Sequence, residues 1–460
     1  MPLFKKPIEQ EFFSLRLRAG RPMTELEFYA RELTDWETSP ERREMIDGDR
    51  YYTGDHDILK RQRTAIGPDG KLIVIENLPN NRIVDNQYAK HVDQKANYLL
   101  GQPISFSCEN DNYAAEVKKV LGMRFMRTLK SAGVECLNAG ISWLYPYYNK
   151  NGELAFRVFP GYEIMPFWAD AAHTELDSAL RLYPVEVYYG TEKKIVKKVD
   201  LFTLEGVTTY IFENGVLMPD TEKQAYVKVK DSKGNEQPLN WERFPLIPIK
   251  YNPKEVPLIR RGRSLQDAIN LLQSDFVNNM EEDVRNTVLV LKNYDGQDLG
   301  EFRRNLTTYG AIKVRTVEGT DGGVDSLEIS VNSENYKTVL ELLKKALIEN
   351  LRSYDAKDDR LSGTPNQMNI QSMYCDIDLD ANAMETELQA AFEEILWFVN
   401  TYLANIGKGS YETEDITVIF NRDILINESE AIDNCSKSVG IISDETIVAM
   451  HPWVDDPAAE

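Results

Sequence analysis

Apolar residues recur every three or four positions along three long stretches, and this spacing predicts three amphipathic helices. The first covers residues 264–287, where Ser264 and Asp267 have the S-x-x-D spacing of a helix capping box. The second covers residues 333–354 and the third covers residues 367–406. No other part of the chain has so regular a pattern, so we take these helices as the framework of the molecule.

The apolar stripes of the first two helices are expected to pack against other surfaces, because each helix is hydrophobic on one face and polar on the other. The predicted packing residues are Leu265, Ile269, Leu272, Phe276, Met280, Leu340, Leu343 and Leu347. The same spacing places Asn270, Gln273 and Asn278 on the opposite, polar face of the first helix.

A small β-type insert separates the first helix from the second. Residues 288–332 contain three short strand-like runs, one short helical piece and glycine-containing turns. On sequence alone, the cationic side chains of the insert are either solvated surface charges, which is the default, or contacts for a partner or for DNA. They are Arg303, Arg304, Lys313 and Arg315.

A polar connection, residues 355–366, joins the second helix to the third. Its residues include Lys357, Asp358, Asp359, Arg360, Ser362 and Gly363, with Leu361 as the one large apolar side chain. Most loops of this kind are ordinary surface connections. Its position between two long amphipathic helices nevertheless makes it a candidate for a functional role.

The rest of the chain divides into helical and β regions that follow one another. The sequence pattern of residues 1–105 predicts helices, including one at 81–100, and that of residues 112–140 predicts one or two more. Residues 141–251 carry strand patterns and Asn-Gly turns typical of an antiparallel meander. One strand and two short helices follow within residues 415–450. Because helices and antiparallel strands form separate runs, the predicted fold class is α+β.

Composition narrows the class of protein. The chain of 460 residues is 42% hydrophobic and 28% charged, as in globular proteins, and no apolar run is long enough to span a membrane. The net charge of −21 argues against a protein that grips nucleic acid through a broad basic surface. The cysteines have no C-x-x-C spacing, and we expect buried, reduced thiols at Cys108, Cys136, Cys375 and Cys435.

Motifs for catalysis are absent from the sequence. It contains no phosphate-binding loop of the G-x-x-x-x-G-K-[ST] type, no H-E-x-x-H and no G-x-S-x-G. The histidines are isolated, and we expect surface or packing roles for His56, His91, His173 and His451. We therefore predict a protein without catalytic residues, cofactor or metal.

One acidic cluster offers an alternative. Asp376, Asp378, Asp380 and Glu387 match positions 1, 3, 5 and 12 of a calcium-binding loop. Position 6 is Ala381, where the sharp turn of such a loop requires glycine, so we interpret the cluster as an acidic, kinked segment of helix. The competing hypothesis is a metal-dependent nuclease or other phosphodiesterase that holds Mg²⁺ with these carboxylates.

Several stretches, taken in order, resemble the portal proteins of tailed double-stranded DNA bacteriophages, specifically the branch of long-tailed phages with Gram-positive hosts. The resemblance covers roughly residues 45–456, and no single motif is diagnostic. The stretches are NNRI (80–83), VDQK (92–95), YLLGQPI (98–104), YEIMPFW (162–168) and FPLIPIKYN (244–252), with Ser362-Gly363 before the third helix.

This resemblance implies a division of the chain into the parts of a portal subunit. The parts are the wing (1–262), a first stem helix (263–287), the clip (288–332), a second stem helix (333–354), the tunnel loop (355–366), a second wing region (367–428) and the crown (429–460). The crown of the family usually continues further. Asp456-Pro457 looks like a helix start, so the sequence fits either a trimmed C-terminus or a frayed tail.

The resemblance also implies partners and a location. We expect a homo-oligomeric ring, usually of twelve copies, at one capsid vertex of the virion, assembled in the host cytoplasm. Double-stranded DNA would pass through it during packaging and ejection. The other expected partners are the large subunit of the terminase, the head-completion adaptor, and the major capsid and scaffolding proteins, with no membrane.

The charge of the chain is consistent with such a conduit. A strongly basic lining would release counterions and hold the DNA phosphates tightly. Lys357 and Arg360 beside Asp358 and Asp359 favour weak contacts that do not depend on base sequence. Besides the nuclease hypothesis, a scaffold or adaptor protein without any channel remains a third class.

Overall fold

The computed structural model describes ten stretches of the chain. They are residues 24–66, 70–74, 78–230, 236–283, 288–292, 323–327, 333–355, 367–411, 413–422 and 428–454.

Ten α-helices lie within these stretches. In chain order they are α1 (Glu25–Glu37), α2 (Pro40–Thr53), α3 (Gln87–Leu100), α4 (Asp111–Val120), α5 (Met123–Ala139), α6 (Ile259–Asp283), α7 (Ser333–Asn350), α8 (Gln367–Asn405), α9 (Glu428–Ser438) and α10 (Asp444–Ala449). None of them, over the described residues, is long and apolar enough to cross a membrane.

The described strands all pair in antiparallel ladders. They are β1 (Thr64–Ile66), β2 (Leu72–Val74), β3 (Ser105–Cys108), β4 (Ile141–Tyr148), β5 (Leu154–Phe159), β6 (Ile164–Trp168), β7 (Leu176–Tyr189), β8 (Glu192–Thr203), β9 (Gly206–Glu213), β10 (Val216–Pro219), β11 (Val227–Lys230), β12 (Glu236–Leu239), β13 (Ile247–Lys250), β14 (Val288–Lys292), β15 (Gly323–Leu327) and β16 (Ile416–Ile419).

The chain divides into two compact units. The first consists of Met1–Asp55, Asn86–Arg263 and Leu347–Glu460. The second consists of His56–Asp85 and Ser264–Ala346. Each unit is therefore assembled from segments that are far apart in sequence.

A five-stranded sheet with the order β10-β9-β8-β7-β6 belongs to the first unit. Consecutive strands are neighbours, which is the meander that the sequence predicts. Helix α1 lays Phe28, Leu33 and Trp36 on one face of the sheet, where they join Leu180 and Val199 in a buried cluster. Burying side chains of this size stabilises the fold by about 1.5–3 kcal/mol each.

A three-stranded sheet with the order β13-β4-β5 lies beside α5. Gly140 ends α5 in the left-handed conformation, with φ +83°, and a Cβ at this position would lie 2.2 Å from the Glu255 carbonyl oxygen. Only glycine fits such a close approach. The fully buried Trp143 on β4 then stacks on Trp168 at the end of β6.

The second unit contains most of α6 and α7 and the ladder between β14 and β15. In that ladder Val288 pairs with Leu327 and Lys292 pairs with Gly323. The predicted strand in the first part of the insert is confirmed. The remainder of the insert, residues 293–322 and 328–332, lies outside the described residues.

The predicted α+β class is confirmed, since helices and antiparallel sheets occupy separate runs of the chain. Two predicted helix starts are wrong. Helix α6 begins at Ile259, so Ser264 lies in its second turn and is not a cap. Helix α3 begins at Gln87 under an Asn86 cap, because residues 81–85 are extended and bonded to side chains described below.

Two smaller predictions are also corrected. Helix α8 is continuous from Gln367 to Asn405, so the acidic segment is ordinary α-helix. Cys136 and Cys435 are buried free thiols as expected, whereas Cys375 is exposed. Exposure of Cys375 follows from its place on a polar turn of the helix surface, next to the exposed Asp376.

Three carboxylates gather where α2, α5 and the turn before β6 meet. Burial raises the pKa of Glu135 to about 7, and the carboxylates of Asp49 and Glu163 add to the effect. A glutamate in an unfolded chain has a pKa near 4.3. Between these values the folded state binds more protons than the unfolded state, so the free energy of unfolding falls as pH rises.

We predict that Glu135→Gln stabilises the protein at alkaline pH. Its contribution should be near zero at pH 4 and should grow to roughly 2–3 kcal/mol at pH 8, because the neutral amide avoids the charging of a buried carboxyl. Thermal unfolding at several pH values measures the difference. Glu109→Gln, the same change at an exposed position, is the control. Parallel curves for Glu135→Gln and the wild type would contradict the prediction.

Candidate functional site

The predicted contact residues of the insert and of the polar connection lie outside the described residues. In the insert these are Arg303, Arg304, Lys313 and Arg315. In the connection they are Lys357, Asp358, Asp359, Arg360, Leu361, Ser362 and Gly363. The structure instead describes the two helices that carry the insert and the segments on either side of the connection.

The predicted packing residues of the two helices differ in burial. Ile269 and Leu347 are fully buried, whereas Met280 is 54% exposed. The other predicted packing residues, Leu265, Leu272, Phe276, Leu340 and Leu343, are half-buried. The ring of Phe276 on α6 stacks on Tyr336 of α7 with centroids 3.9 Å apart, so this residue joins the two helices within one chain.

Both helices also leave apolar side chains uncovered. On α6 these are Leu271 (43% exposed) and Met280, and on α7 they are Val339 (45%) and Leu342 (61%). Single exposed apolar residues are ordinary on protein surfaces. Val339 and Leu342 lie three residues apart on α7 and therefore share a side of that helix, whereas Leu271 and Met280 point to opposite sides of α6. Second surfaces can cover these side chains.

The buried face of α6 is polar, which the sequence analysis did not predict. Gln266, Asn270, Ser274 and Asn278 follow one another at four-residue spacing, and all four are fully buried. The stripe pattern had assigned Asn270 and Asn278 to the opposite, polar face. That assignment is wrong as to burial, because these side chains face another segment of the chain and not solvent.

The partner of this polar face is the extended backbone of residues 81–85. The N–H groups of Asn81, Ile83 and Asp85 donate to Asn278 Oδ1 (2.7 Å), Ser274 Oγ (2.9 Å) and Asn270 Oδ1 (3.0 Å), respectively. Gln266 Nε2 completes the series by donating to the Asp85 carbonyl at 2.7 Å. We call these contacts the polar ladder.

The polar ladder forms because the repeat distance along the extended segment is close to the repeat distance along the helix. Two residues of extended chain advance about 6.6 Å, and four residues of α-helix advance about 6 Å. Every second N–H of the extended segment therefore meets every fourth side chain of the helix. Buried backbone groups must find such partners, and here helix side chains provide them instead of a neighbouring strand.

A second polar cluster lies in the first unit, where α8 meets α3. Asp380 is 5% exposed and accepts hydrogen bonds from Lys95 Nζ (2.7 Å), Tyr251 Oη (2.6 Å) and Arg261 Nη1 (3.1 Å). Arg352 Nη1 lies 3.7 Å from the same carboxylate. Burial alone would raise the pKa of Asp380, but the Lys95 ammonium and these hydrogen bonds outweigh it and lower the pKa.

Arg352 has an unusual backbone. Its φ of +50° places it in the left-handed region just after α7. The Ser353 N–H bonds to the Ile348 carbonyl and the Arg352 N–H bonds to the Glu349 carbonyl, which is the Schellman pattern of a helix end. Glycine usually occupies this position, since other residues pay about 1–2 kcal/mol there. Lys95 Nζ donates to the Arg352 carbonyl at 3.0 Å.

The acidic segment of α8 does not form a metal site. Carboxylates two residues apart on an α-helix point about 200° apart around its axis, so Asp378 points away from Asp376 and Asp380. Asp378 pairs with Arg422, and Asp380 pairs with Lys95. Among the described residues, no group of three or more histidine, cysteine or acidic side chains is placed to hold a metal ion.

Comparison with known proteins assigns the family. The sequence matches the family described as "Phage portal protein, SPP1 Gp6-like" over residues 37–460. The chain belongs to this portal protein family.

Individual portal proteins are similar along most of their length. The portal protein of Bacillus phage SPP1 is 30% identical over 420 residues, which cover 90% of this chain and 82% of that protein. The portal protein of Clostridium phage phiCD119 is 27% identical over 427 residues, with 90% of each covered. The resemblance to portal proteins of phages with Gram-positive hosts is thereby confirmed.

Solved structures of a phage-like particle are more distant. A chain in "Virion of native gene transfer agent (GTA) particle" has a TM-score of 0.39 and 12% identity, over 79% of this chain and 88% of that chain. A chain in "Neck of native GTA particle computed with C12 symmetry" gives the same values.

Sequence reasoning missed the residues that hold this portal-family chain around Asp380. Lys95 lies in the VDQK stretch and Tyr251 in the FPLIPIKYN stretch, both of which carried the resemblance. For Lys95, the available signal was the presence of a lysine between apolar positions of a predicted helix. Nothing in the sequence pattern connects these residues to Asp380, because the contacts span 285 and 129 positions.

We predict that Ser274→Ala destabilises this portal-family chain by about 1–3 kcal/mol, because the partly buried Ile83 N–H loses its acceptor. Chemical denaturation measures the change in the free energy of unfolding. Ser264→Ala makes the same substitution at an exposed position of the same helix and should be nearly neutral. Equal stabilities for the two variants would show that the polar ladder contributes nothing.

Proposed function

We propose that copies of this chain assemble into a ring of twelve whose central channel conducts double-stranded DNA at one vertex of a phage capsid. The observation that carries the proposal is the family match over residues 37–460. The DNA moves inward during packaging and outward during ejection. The isolated subunit has no such channel, so the ring is the functional unit.

The exposed apolar side chains of α6 and α7 support ring assembly. Leu271, Met280, Val339 and Leu342 are exposed in one chain, and the two neighbouring copies in a ring are the surfaces proposed to cover them. A head-to-tail contact of this kind closes into a ring when the rotation between copies is an integer fraction of a turn.

The parts of the chain take the roles implied by the family. Residues 263–287 and 333–354 form the stem, and residues 288–332 form the clip, which docks the terminase large subunit and later the head-completion adaptor. Residues 355–366 form the tunnel loop. The wing, 1–262 and 367–428, and the crown from 429 onward face the major capsid and scaffolding proteins. The ring is assembled in the host cytoplasm and stays in the virion.

The charge of the protein favours the passage of DNA through the ring over tight binding of DNA. The net charge of −21 keeps the protein from holding the DNA phosphates over a wide surface. Cations at the tunnel loop, Lys357 and Arg360, are balanced by Asp358 and Asp359. Contacts of this kind touch the phosphate backbone without reading bases.

The role is structural and involves no turnover. The alternative of a metal-dependent nuclease has no support, because the acidic segment of α8 is paired with Lys95, Arg261 and Arg422. Its carboxylates serve the fold of the wing.

The first prediction concerns the stem. Phe276→Asp should disrupt both stem packing and ring assembly, because a carboxylate cannot replace the ring that stacks on Tyr336. We expect lower melting temperature and loss of the large species, measured by differential scanning calorimetry and mass photometry. Rings of normal mass and unchanged melting would contradict the assignment of the stem.

Leu342→Asp separates the two effects. Leu342 is 61% exposed in one chain, so this variant should keep the melting temperature of the single chain and lose only the ring. Ring formation at wild-type concentrations by Leu342→Asp would show that this face of α7 is not an interface.

The second prediction concerns the tunnel loop. Deletion of residues 361–363 should leave the ring intact and block DNA packaging, because the deletion shortens the loop without touching α6 or α7. Electron microscopy of purified protein checks the ring, and the DNA content of heads assembled with the variant checks packaging. Normally filled heads would refute the loop assignment.

A further inference from the structure

One face of α3 holds the chain on both sides of residues 356–366. On the N-terminal side, Gln94 Nε2 donates to the Tyr354 carbonyl at 3.2 Å, and Lys95 Nζ donates to the Arg352 carbonyl at 3.0 Å. Both acceptors are backbone atoms. These bonds therefore set the position of the main chain itself.

The same face of α3 holds the C-terminal side. Lys95 Nζ also donates to Asp380 Oδ2 at 2.7 Å, and Tyr98 Oη donates to Asp378 Oδ1 at 3.0 Å. The ring of Tyr98 stacks on Tyr374 with centroids 5.7 Å apart. Gln94, Lys95 and Tyr98 thus contact segments on both sides of the connection.

We propose that Lys95 and Asp380, supported by Gln94 and Tyr98, are positioning residues that clamp the chain after α7 to α8, and that this clamp sets where the tunnel loop between them meets passing DNA. This inference rests on the proposed function, because it gives residues 356–366 a role in DNA passage. The clamp itself is a claim about the subunit and can be measured without DNA.

The composition of the clamp favours positioning over bulk stability. A buried ion pair is often no more stabilising than well-packed apolar side chains of the same volume. Lys95 adds directional hydrogen bonds, since its ammonium group joins a carboxylate on α8 to a backbone carbonyl after α7. An apolar pair fills the same space without fixing either main chain.

The backbone of Arg352 supports the same reading. A non-glycine residue with φ +50° is held in place by its surroundings, and such residues cluster at clamps and switches. The Arg352 carbonyl is the group that Lys95 binds, and its guanidinium lies 3.7 Å from Asp380. The clamp thereby engages the last residue of the helix end before the loop.

The test replaces Lys95 and Asp380 together, so that neither member of the buried pair keeps its charge alone. Arg261 and Arg352 also lie against Asp380, but their side chains are 33% and 53% exposed and stay in contact with solvent. In Lys95→Met/Asp380→Asn, backbone amides of residues 353–374 should exchange with deuterium at least tenfold faster, as measured by mass spectrometry on the purified assembled protein. Amides in β7 and β8 should be unchanged. Heads assembled with this variant should retain less DNA than wild-type heads.

A matched control uses another partly buried pair in the same unit. Arg181 Nε lies 2.9 Å from Glu163 Oε2, and neither residue contacts the Asp380 cluster. Arg181→Met/Glu163→Gln removes a charged pair and should leave exchange of residues 353–374 at the wild-type rate. This control separates a positioning role from general destabilisation.

A milder variant covers the case in which the double variant does not fold. Gln94→Glu is nearly isosteric but cannot donate to the Tyr354 carbonyl, and its carboxylate still serves as a partner for His91. It should raise exchange at residues 353–355 with assembly preserved.

The outcomes distinguish the two levels of the proposal. Wild-type exchange rates at residues 353–374 in the folded variants would overturn the clamp. Faster exchange with full DNA retention would overturn its link to DNA passage. A wild-type protein that forms no ring would contradict the proposed function, while the comparison of exchange rates would still decide whether the clamp exists.

Discussion

The carboxylate of Asp380 is the constraint on which the first unit depends. It receives hydrogen bonds from Lys95, Tyr251 and Arg261, which belong to α3, the segment after β13, and α6. A carboxylate this deeply buried is tolerated only when all of its partners are present, since an uncompensated charge in the interior is strongly destabilising. Segments that are distant in sequence are thus joined at this one carboxylate.

Hydrophobic periodicity predicted the long helices α6, α7 and α8, and the ordered set of family-like stretches predicted the portal family. Periodicity failed on the face of α6 that carries Asn270, Ser274 and Asn278. A pattern of apolar positions assumes that burial means hydrophobic contact. It cannot foresee that an extended backbone elsewhere in the chain supplies donors for a row of amide and hydroxyl groups.

The same limit explains the acidic segment. Asp378 and Asp380 matched metal-ligand positions in the sequence, because the sequence gives only their spacing along the chain. In a continuous helix the two carboxylates diverge, and each meets a cation from another part of the first unit. The sequence shows which residues are charged but not which residues they pair with. The pairing determines whether a carboxylate can bind a metal ion.

The polar ladder has a mechanical consequence. Its donors repeat every two residues of the extended segment and its acceptors every four residues of α6. A small axial slip of the helix against that segment would break every bond of the series at once, and a new register requires a slip of four residues, about 6 Å. The helix therefore resists small axial displacements against the extended segment. Under a large enough force it would shift by one full repeat in a single step.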